Sequence, residues 1–322
     1  MPLNELDHDV IVIGGGAAGL SAAVTLARSR RRVLVVDAGQ PRNAPAAGVH
    51  NLLGLEDISP HELLVRGRAE VTGYGGEIRT GTVESAAPID GGFQVVLADG
   101  SRATSRRLIV TTGLVDELPD VPGLAERWGR DVLHCPYCHG WEVRDQELVV
   151  LATGPAGVHQ ALLFSQLSDR VSLLLHGQAP PDEATQRTLG ARGVRLVEGV
   201  ASEVLVTDDA IRGIRLEDGS TVPCQAVVVG PRFAARSAVL ESLGLVSQDF
   251  LMGEHVVGSH IAAEPTGQTE LPGVFVAGNV TDPGAQVGMA AAQGVRVAAW
   301  VNMVLIEEDA ALALSRLGSG DA

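Results

Sequence analysis

Two copies of one local pattern constrain the fold of this chain more than any other feature. Each copy has an apolar run, a loop of glycine and small residues, a helical stretch of small apolar residues and a second apolar run. The first copy spans residues 9–37 and the second spans 147–175. A strand, a tight turn, a helix and a parallel strand in this order form half of a nucleotide-binding fold. The sequence therefore predicts an α/β protein with two Rossmann-like units joined by further strands.

The first loop, residues 14–19, reads Gly-Gly-Gly-Ala-Ala-Gly and fits the dinucleotide-binding pattern G-x-G-x-x-G. Its glycines permit a tight turn, close approach of backbone to a pyrophosphate and close helix packing, and the helix start supplies free N–H groups. The predicted cofactor contacts here are Gly14, Gly16, Ala17, Ala18 and Gly19. Asp37 ends the next strand, where a carboxylate accepts a ribose hydroxyl. This combination predicts a dinucleotide site.

The second loop, residues 152–157, reads Ala-Thr-Gly-Pro-Ala-Gly, so Ala152 stands where the pattern has its first glycine. The strand that follows ends in His176, Gly177 and Gln178. These three residues offer neither an acid for the ribose of NAD nor an arginine pair for the extra phosphate of NADP. Two interpretations stay open, a functional nicotinamide site and a retained fold whose ligand is lost or altered.

The charged residues exclude several function classes. All 24 basic residues are arginine, and 39 acidic residues give a net charge of −15. Without lysine there can be no Schiff-base aldolase, no pyridoxal-phosphate enzyme and no phosphate-loop kinase that depends on its lysine. The negative charge argues against nucleic acid and anionic membranes as main partners. Since arginine is the chain's only strong cation, its absence at 176–178 weakens the case for NADPH.

The ends of the chain carry no targeting signal that we recognise. Residues 1–9 are polar and lack the basic and apolar regions of a secretory signal. The apolar stretch 295–306 is interrupted by Arg296 and Asn302, and it is too short and too polar to cross a bilayer. We therefore expect a cytoplasmic protein, with a frayed tail from Glu307 onward.

Between the two units the pattern predicts further elements. A helix is expected over residues 60–72 with Ser59 as its N-cap, followed by antiparallel strands within 76–112. Strands with an Asp-Gly turn are expected within 202–229. A short strand at 272–278 and a helix over 284–306 complete the predicted elements.

The segment His134-Cys-Pro-Tyr-Cys-His139 is the chemical centre of the sequence. Cys135 and Cys138, three residues apart, can close a small redox disulfide. Zinc is the main alternative, but the sequence has no second cysteine pair to complete a four-ligand site, so we predict no metal. A glutaredoxin-like domain would carry such a pair near its start, whereas this pair follows more than 110 residues of a nucleotide unit.

Two histidines flank the pair, and both are candidate catalytic residues together with the cysteines. His139 is a candidate proton carrier, and His134 a candidate for increasing the thiolate fraction. Either histidine can instead serve only to orient its neighbours through a hydrogen bond. The third cysteine, Cys224, lies in an apolar strand and is expected to be buried and inert.

These motifs together resemble the low-molecular-weight thioredoxin reductase family over nearly the whole chain. Residues 111–113, Thr-Thr-Gly, resemble the family's crossover segment, and residues 273–280, Gly-Val-Phe-Val-Ala-Gly-Asn-Val, resemble its second FAD motif. The resemblance implies a discontinuous FAD-binding domain, residues 1–115 and 241–322, with an inserted NAD(P)-like domain, residues 116–240, that carries the cysteine pair. It adds these cofactor-binding residues: Asn51, Thr112, Gly113, Gly278, Asn279, Gln286 and Val287.

The departures from the reductases are specific. His139 and Asn279 each stand where the family usually has aspartate. With the segment Cys-x-x-Cys-His-Gly-Trp-Glu and the loop from Arg42 to Asn51, the chain is similar to dithiol oxidases that close disulfides in natural products such as holomycin and gliotoxin. That resemblance implies FAD, a homodimer, a small-molecule dithiol substrate and molecular oxygen as acceptor. The alternatives are an NAD(P)H-dependent disulfide reductase and a flavin redox sensor.

Overall fold

The computed structural model describes residues 6–154 and 156–319 of the 322. Residues 1–5, Pro155 and 320–322 lie outside the described part. More than half of the amino-terminal segment 1–9, which we examined for a targeting signal, is therefore not described. The strands are β1 His8–Ile13, β2 Val33–Asp37, β3 Glu77–Thr80, β4 Val83–Ile89, β5 Gly92–Leu97, β6 Arg102–Val110, β7 Leu114–Glu117, β8 Val132–Leu133, β9 Leu148–Leu151, β10 Val171–Leu174, β11 Arg195–Val197, β12 Ala201–Thr207, β13 Ala210–Leu216, β14 Thr221–Pro223, β15 Ala226–Val229, β16 Arg232–Ala235, β17 Gln248–Met252, β18 His255–His260 and β19 Val274–Val276. The helices are α1 Ala17–Arg28, α2 Pro60–Gly73, α3 Leu124–Arg127, α4 Pro136–His139, α5 Ala156–Phe164, α6 Glu183–Ala191, α7 Ala238–Glu241 and α8 Val287–Ser319.

The first sheet has the order β3-β2-β1-β6-β5-β4, and β19 also pairs with β6. Strands β3, β2, β1, β6 and β19 are parallel, whereas β4 and β5 form an antiparallel meander with the first half of β6. The pairing of Val274 with Leu108 brings the last strand of the chain back into the first sheet. The discontinuous arrangement predicted from the motif order is therefore confirmed.

Small residues let two helices pack closely on this sheet. The first helix, α1, is rich in alanine, and its buried face packs with β1 and α8 in one hydrophobic core. A side chain at Gly294 of α8 would collide with the carbonyl of Ala18, so the contact between the two helices requires glycine there. Ser59 caps α2 by accepting a hydrogen bond from the Glu62 N–H at 3.1 Å, as predicted.

The second sheet is wholly parallel, with the order β11-β10-β9-β15-β8. Its strands are apolar on both faces, as expected for a parallel sheet covered on both sides. The antiparallel meander β12-β13-β14 packs on one face and α5 and α6 on the other. Both predicted nucleotide-binding units are thus present as α/β sheets.

A third layer joins the two sheets. In it β7 and β16 pair antiparallel, and β18 and β17 extend the layer. The predicted domain boundaries at 115/116 and 240/241 fall inside β7 and α7, and Val239 and Leu240 pack into a core of the first sheet. The boundaries themselves stay a prediction.

Two sequence-based expectations are corrected. The strand β3 was expected to be antiparallel to its neighbours but pairs parallel with β2. The expectation of a frayed tail from Glu307 is wrong, because α8 continues to Ser319. Glu308 and Asp309 hold this part of the helix by ion pairs with Arg106, at 2.9 and 2.7 Å.

The length of α8 also changes the comparison with membrane helices. Over residues 287–317 it is long and apolar enough, by length and composition alone, to cross a bilayer. Part of its apolar surface is used inside the protein, since Val297, Ala298, Val301 and Leu305 are buried in the first core.

Candidate active site

The candidate site is a cavity of about 1070 Å³ at the carboxyl ends of parallel strands from both sheets. Residues 14–18 follow β1, residues 111–113 follow β6, and residues 278–279 follow β19. The cysteine pair follows β8 of the second sheet and lines the same cavity. Ligands of open α/β sheets bind at this edge, because loops and helix starts converge there. The fold thus brings both predicted centres into one cavity.

The nucleotide end of the cavity is shaped by the first glycine loop. Gly14 has φ +106°, and a side chain there would strike the Thr111 backbone. Gly16, in contrast, faces open space, and the start of α1 has no side-chain cap and no acidic residue in its first turn. The free N–H groups at this helix start can bind a pyrophosphate without competition from the protein.

Asp37 lies directly beside this loop. One carboxylate oxygen accepts the Gly15 N–H at 3.1 Å, and the other forms an ion pair with Arg68 from α2. The carboxylate is therefore held at the cavity wall, where a ribose hydroxyl of the bound nucleotide would lie.

Most predicted cofactor residues line this cavity together. They are Gly14, Gly16, Ala17, Ala18, Asp37, Thr112, Gly113, Gly278, Asn279, Gln286 and Val287. Gly19 lies behind them, where a side chain would collide with the Gly14 carbonyl. Asn51 has a different contact, because its Nδ2 donates to the carbonyl of Tyr137 between the two cysteines at 2.7 Å.

The structure explains asparagine at position 279. Its Nδ2 donates to the carbonyls of Asp282 and Ala285 at 3.0 and 2.9 Å, and its Oδ1 accepts from Arg42 Nη1 at 3.3 Å. A carboxylate would lose these donor contacts and face two carbonyl oxygens instead. Arg42 is also held by a two-bond ion pair with Asp116, at 2.6 and 2.7 Å.

Cys135 and Cys138 form a disulfide, with their Cα atoms 5.3 Å apart. Cys135 precedes the short helix α4, and its carbonyl accepts the N–H groups of Cys138 and His139 at 3.3 and 3.2 Å. Pro136 suits the first position of this turn because its missing N–H has no partner to lose there. The turn places both sulfur-bearing residues and His139 on the cavity wall.

The two flanking histidines differ in their contacts. His139 Nε2 is buried and has no hydrogen-bond partner among the described residues, whereas His134 Nδ1 lies 3.1 Å from Gln160 Nε2 and 3.3 Å from the Val229 carbonyl. Burial is the main cause that lowers the pKa of both histidines below the usual value. His139 thus lines the cavity with a neutral imidazole whose buried Nε2 is unpaired among the described residues, whereas the imidazole of His134 is held by its neighbours.

Sequence reasoning missed two contributors to this site. Gln160, from α5 of the second unit, contacts His134, and Asp116 of β7 fixes Arg42 beside Asn279. Neither residue carries a local motif. Only the pairing of the sheets brings them to the cysteine segment.

Cys224 is separate from the site. It is 2% exposed within the core of the second unit, and burial raises the pKa of its thiol to about 12. A thiol with such a pKa is almost entirely protonated at neutral pH, which agrees with the expectation that this residue is inert.

In the second nucleotide unit, residues 176–178 after β10 stand where a cation for NADPH is expected, and they are His, Gly and Gln. His176, with φ +49°, uses its Nδ1 to accept the Ala201 N–H at 3.0 Å. Burial lowers the pKa of His176, so the side chain is neutral at pH 7. The helix that directly follows the loop 152–157, α5, contributes Ala156, His159 and Gln160 to the cavity that contains the disulfide.

Comparison with known proteins agrees with this arrangement. The chain matches the family described as pyridine nucleotide-disulphide oxidoreductase over residues 8–295. The thioredoxin reductase tcpT of Claviceps purpurea is 34% identical over 282 residues, which cover 84% of this chain and 86% of the relative. The thioredoxin reductase sirT of Leptosphaeria maculans is 30% identical over 320 residues, covering 94% and 96%. The crystal structure of HlmI superposes with a TM-score of 0.89 at 44% identity, covering 98% of this chain and 97% of that one.

The fold and the site define a flavin-dependent disulfide oxidoreductase. This chain belongs to the pyridine nucleotide-disulphide oxidoreductase family and is thioredoxin reductase-like, as the motifs predicted. Its cofactor is FAD, and the open helix start with the fixed Asp37 carboxylate fits the diphosphate and ribose of that cofactor. Among the described residues, no group of three or more histidine, cysteine and acidic side chains is arranged to hold a metal.

Proposed function

We propose that the protein is an FAD-dependent dithiol oxidase that converts a small-molecule dithiol to a disulfide, with oxygen as final acceptor and hydrogen peroxide as product. The observation that carries this proposal is one shared cavity. It is lined by the Cys135–Cys138 disulfide, by His139 and by the loops that would hold the cofactor. A thiol entering this cavity meets an oxidant and a base at the same place.

The cysteine pair accepts the electrons in two exchanges. One substrate thiolate attacks the sulfur of Cys135, which breaks the Cys135–Cys138 bond, forms a mixed disulfide and releases the Cys138 thiolate. The second substrate thiolate then attacks the substrate sulfur that is bonded to Cys135. This forms the substrate disulfide and releases the Cys135 thiolate. Two electrons have then moved from the substrate to the cysteine pair, which is left as two thiolates, and the two protons of the substrate thiols have passed to the base or to solvent.

His139 carries the protons in this scheme. Its imidazole is neutral because burial lowers its pKa, so Nε2 can take the proton of the attacking thiol and later return it to a cysteine thiolate. His134 directly precedes Cys135, at the opposite end of the cysteine segment from His139. Its Nδ1 can either accept from Gln160 Nε2 or donate to the Val229 carbonyl, depending on the tautomer, and either bond favours an orienting role.

The chain's own residues hold the cofactor at fixed places. The start of α1 would bind the diphosphate and Asp37 the ribose, and residues 111–113, 278–279 and 286–287 would contact the remainder. When bound, FAD supplies the two-electron acceptance that reoxidises the cysteine pair and the transfer of those electrons to oxygen.

A second candidate is an NAD(P)H-dependent reductase that runs electrons in the opposite direction. The names of the relatives, thioredoxin reductase, favour it. The segment after β10 argues against it, because residues 176–178 contain no arginine and the His176 side chain is hydrogen-bonded to the protein backbone. Binding of a 2′-phosphate needs cationic or multiple donor groups at this point.

Anaerobic mixing separates the candidates. We expect dithiothreitol to bleach the flavin absorbance of the holoenzyme, and air then to restore it with formation of peroxide. Cys138→Ser should abolish bleaching, whereas Cys224→Ser should leave it unchanged because that thiol is buried and protonated. Rapid bleaching by NADPH would favour the reductase. A single stoichiometric response without turnover would favour a redox sensor.

The cellular setting is also a proposal. The reactive disulfide is reformed by the catalytic cycle, so it needs no oxidising compartment, and a cytoplasmic location is consistent with the expectation from the sequence.

A homodimer is supported by apolar side chains exposed along α8, including Trp300 and Ile306.

A further inference from the structure

The loop before α2 contacts the cysteine segment through His50. This imidazole lies between two carboxylates, with Nδ1 2.7 Å from Glu56 Oε1 and Nε2 3.6 Å from Glu142 Oε1. Its side chain is 17% exposed, and it lines the cavity that contains the disulfide. Glu56 belongs to the same loop, whereas Glu142 lies three residues after His139. His50 therefore connects the loop to the segment that carries the proposed base.

The same loop holds the backbone between the cysteines. Asn51 Nδ2 donates to the Tyr137 carbonyl at 2.7 Å, and the Asn51 N–H donates to Glu56 Oε2 at 3.1 Å. Asn51 has φ +58°, a left-handed conformation that asparagine adopts more readily than most residues. Both oxygens of Glu56 are thus used to order His50 and Asn51 against the cysteine segment.

We propose that His50 is a positioning residue for this reaction: held between Glu56 and Glu142, its imidazole offsets the charge of Glu142 beside the cysteine segment and thereby adds to the effect of burial in keeping His139 neutral. The inference rests on the proposed function of His139 as proton carrier. The proposal adds His50, a residue of the loop before α2 and outside the cysteine motif, to the groups that influence the protonation of His139.

The charges around these side chains support the inference. The hydrogen bond to Glu56 raises the pKa of His50, outweighing the opposite effect of burial, and the charges of Glu142, Glu56 and Asp57 add to the increase. For His139, burial lowers the pKa, Glu142 acts to raise it and His50 acts to lower it further. Removing the positive charge leaves Glu142 unbalanced and makes the base easier to protonate.

Opposite substitutions test the sign of this effect. His50→Gln removes the positive charge, so the titration of His139 should move to higher pH. Glu142→Gln removes the negative charge, so it should move to lower pH. Glu56→Gln should act in the same direction as His50→Gln, because His50 then loses the hydrogen bond that favours its charged form. His61→Gln is the matched control, since His61 is exposed on α2.

The direct readout is an NMR titration of the histidine rings in the FAD-loaded, oxidised protein, with the His139 signal assigned by its loss in His139→Gln. The second readout is the acid limb of the pH profile for flavin bleaching by dithiothreitol. The inference is overturned if His50→Gln and Glu142→Gln leave the His139 titration in place or move it in the same direction. Failure of the wild type to be bleached would instead refute the proposed function, and the titration would still decide the role of His50.

Discussion

At the scale of single residues, two histidines that look equivalent along the chain are made different by their surroundings. Both flank the cysteine pair, and burial lowers the pKa of both. His134 Nδ1 lies within hydrogen-bond distance of Gln160 Nε2 and the Val229 carbonyl, whereas His139 Nε2 has no partner in the described structure. An unsatisfied buried nitrogen costs free energy, and the proposed use of His139 as a proton carrier would account for its retention next to the cysteine pair.

This difference predicts unequal effects of the same substitution. His139→Gln should slow flavin bleaching by dithiothreitol about 10²-fold or more, because it removes a general base. His134→Gln should slow it about fivefold, the value of one neutral hydrogen bond. Stopped-flow absorbance at several pH values measures both, and the acid limb should disappear only in His139→Gln. Equal losses in the two variants would contradict the assignment.

At the scale of elements, the last helix is anchored by a buried ionic cluster at the point where the sequence suggested fraying. The Arg106 side chain is 6% exposed and lies within 2.7 to 3.6 Å of Asp309, Glu308 and Asp9. Arg31 adds a second bond to Asp309 at 2.5 Å, and Arg107 pairs with Glu308. These contacts join α8 to β1, to β6 and to the connection between α1 and β2, which extends the helix beyond its apolar core segment.

Removing the centre of this cluster should therefore be costly. Arg106→Ala removes the common partner of three carboxylates. Glu308 and Asp309 are partly exposed and keep their pairs with Arg107 and Arg31, so we expect a loss of about 1–3 kcal/mol, below the cost of a fully buried unpaired charge. Arg296→Ala on the exposed side of the same helix is the control, with an expected change within about 0.5 kcal/mol. Denaturant unfolding followed by circular dichroism measures both. A loss below 1 kcal/mol for Arg106→Ala would show that α8 is held by its apolar contacts alone.

At the scale of the whole molecule, α8 presents two apolar faces. Val297, Ala298, Val301 and Leu305 pack into the core, whereas Val295, Trp300, Met303 and Ile306 remain exposed on the opposite side. A helix of an isolated domain needs only one apolar face, so a second face indicates a further contact surface. The expected homodimer would cover it.

Charges on the exposed face should then separate the subunits. The double variant Trp300→Glu, Ile306→Glu is expected to be monomeric in size-exclusion chromatography with light scattering, and the wild type dimeric. Leu251→Glu, at an exposed apolar residue of β17, is the matched control and should stay dimeric. A monomeric wild type would refute the dimer. A dimeric double variant would place the interface elsewhere.

The two nucleotide-binding units and the redox pair were predictable from the sequence, because each depends on neighbouring residues, whereas the discontinuous first unit was implied by the family resemblance. A glycine turn between an apolar strand and a helix forms from local backbone freedom, and two cysteines three residues apart are already within bonding reach. Asp37 was predictable for the same reason, since its place at a strand end follows from the length of the unit.

Only the tertiary structure decided how those parts work together. Gln160 contacts His134 across 26 residues, Arg42 reaches Asn279 across 237, and Arg31 reaches Asp309 across 278. No local pattern encodes such pairs, because they exist only once the two sheets and α8 are packed. The sequence by itself determined the nucleotide units and the disulfide chemistry. Packing decided which histidine is free, why position 279 is asparagine, where the chain's last helix ends, and that His50 lies beside the cysteine segment.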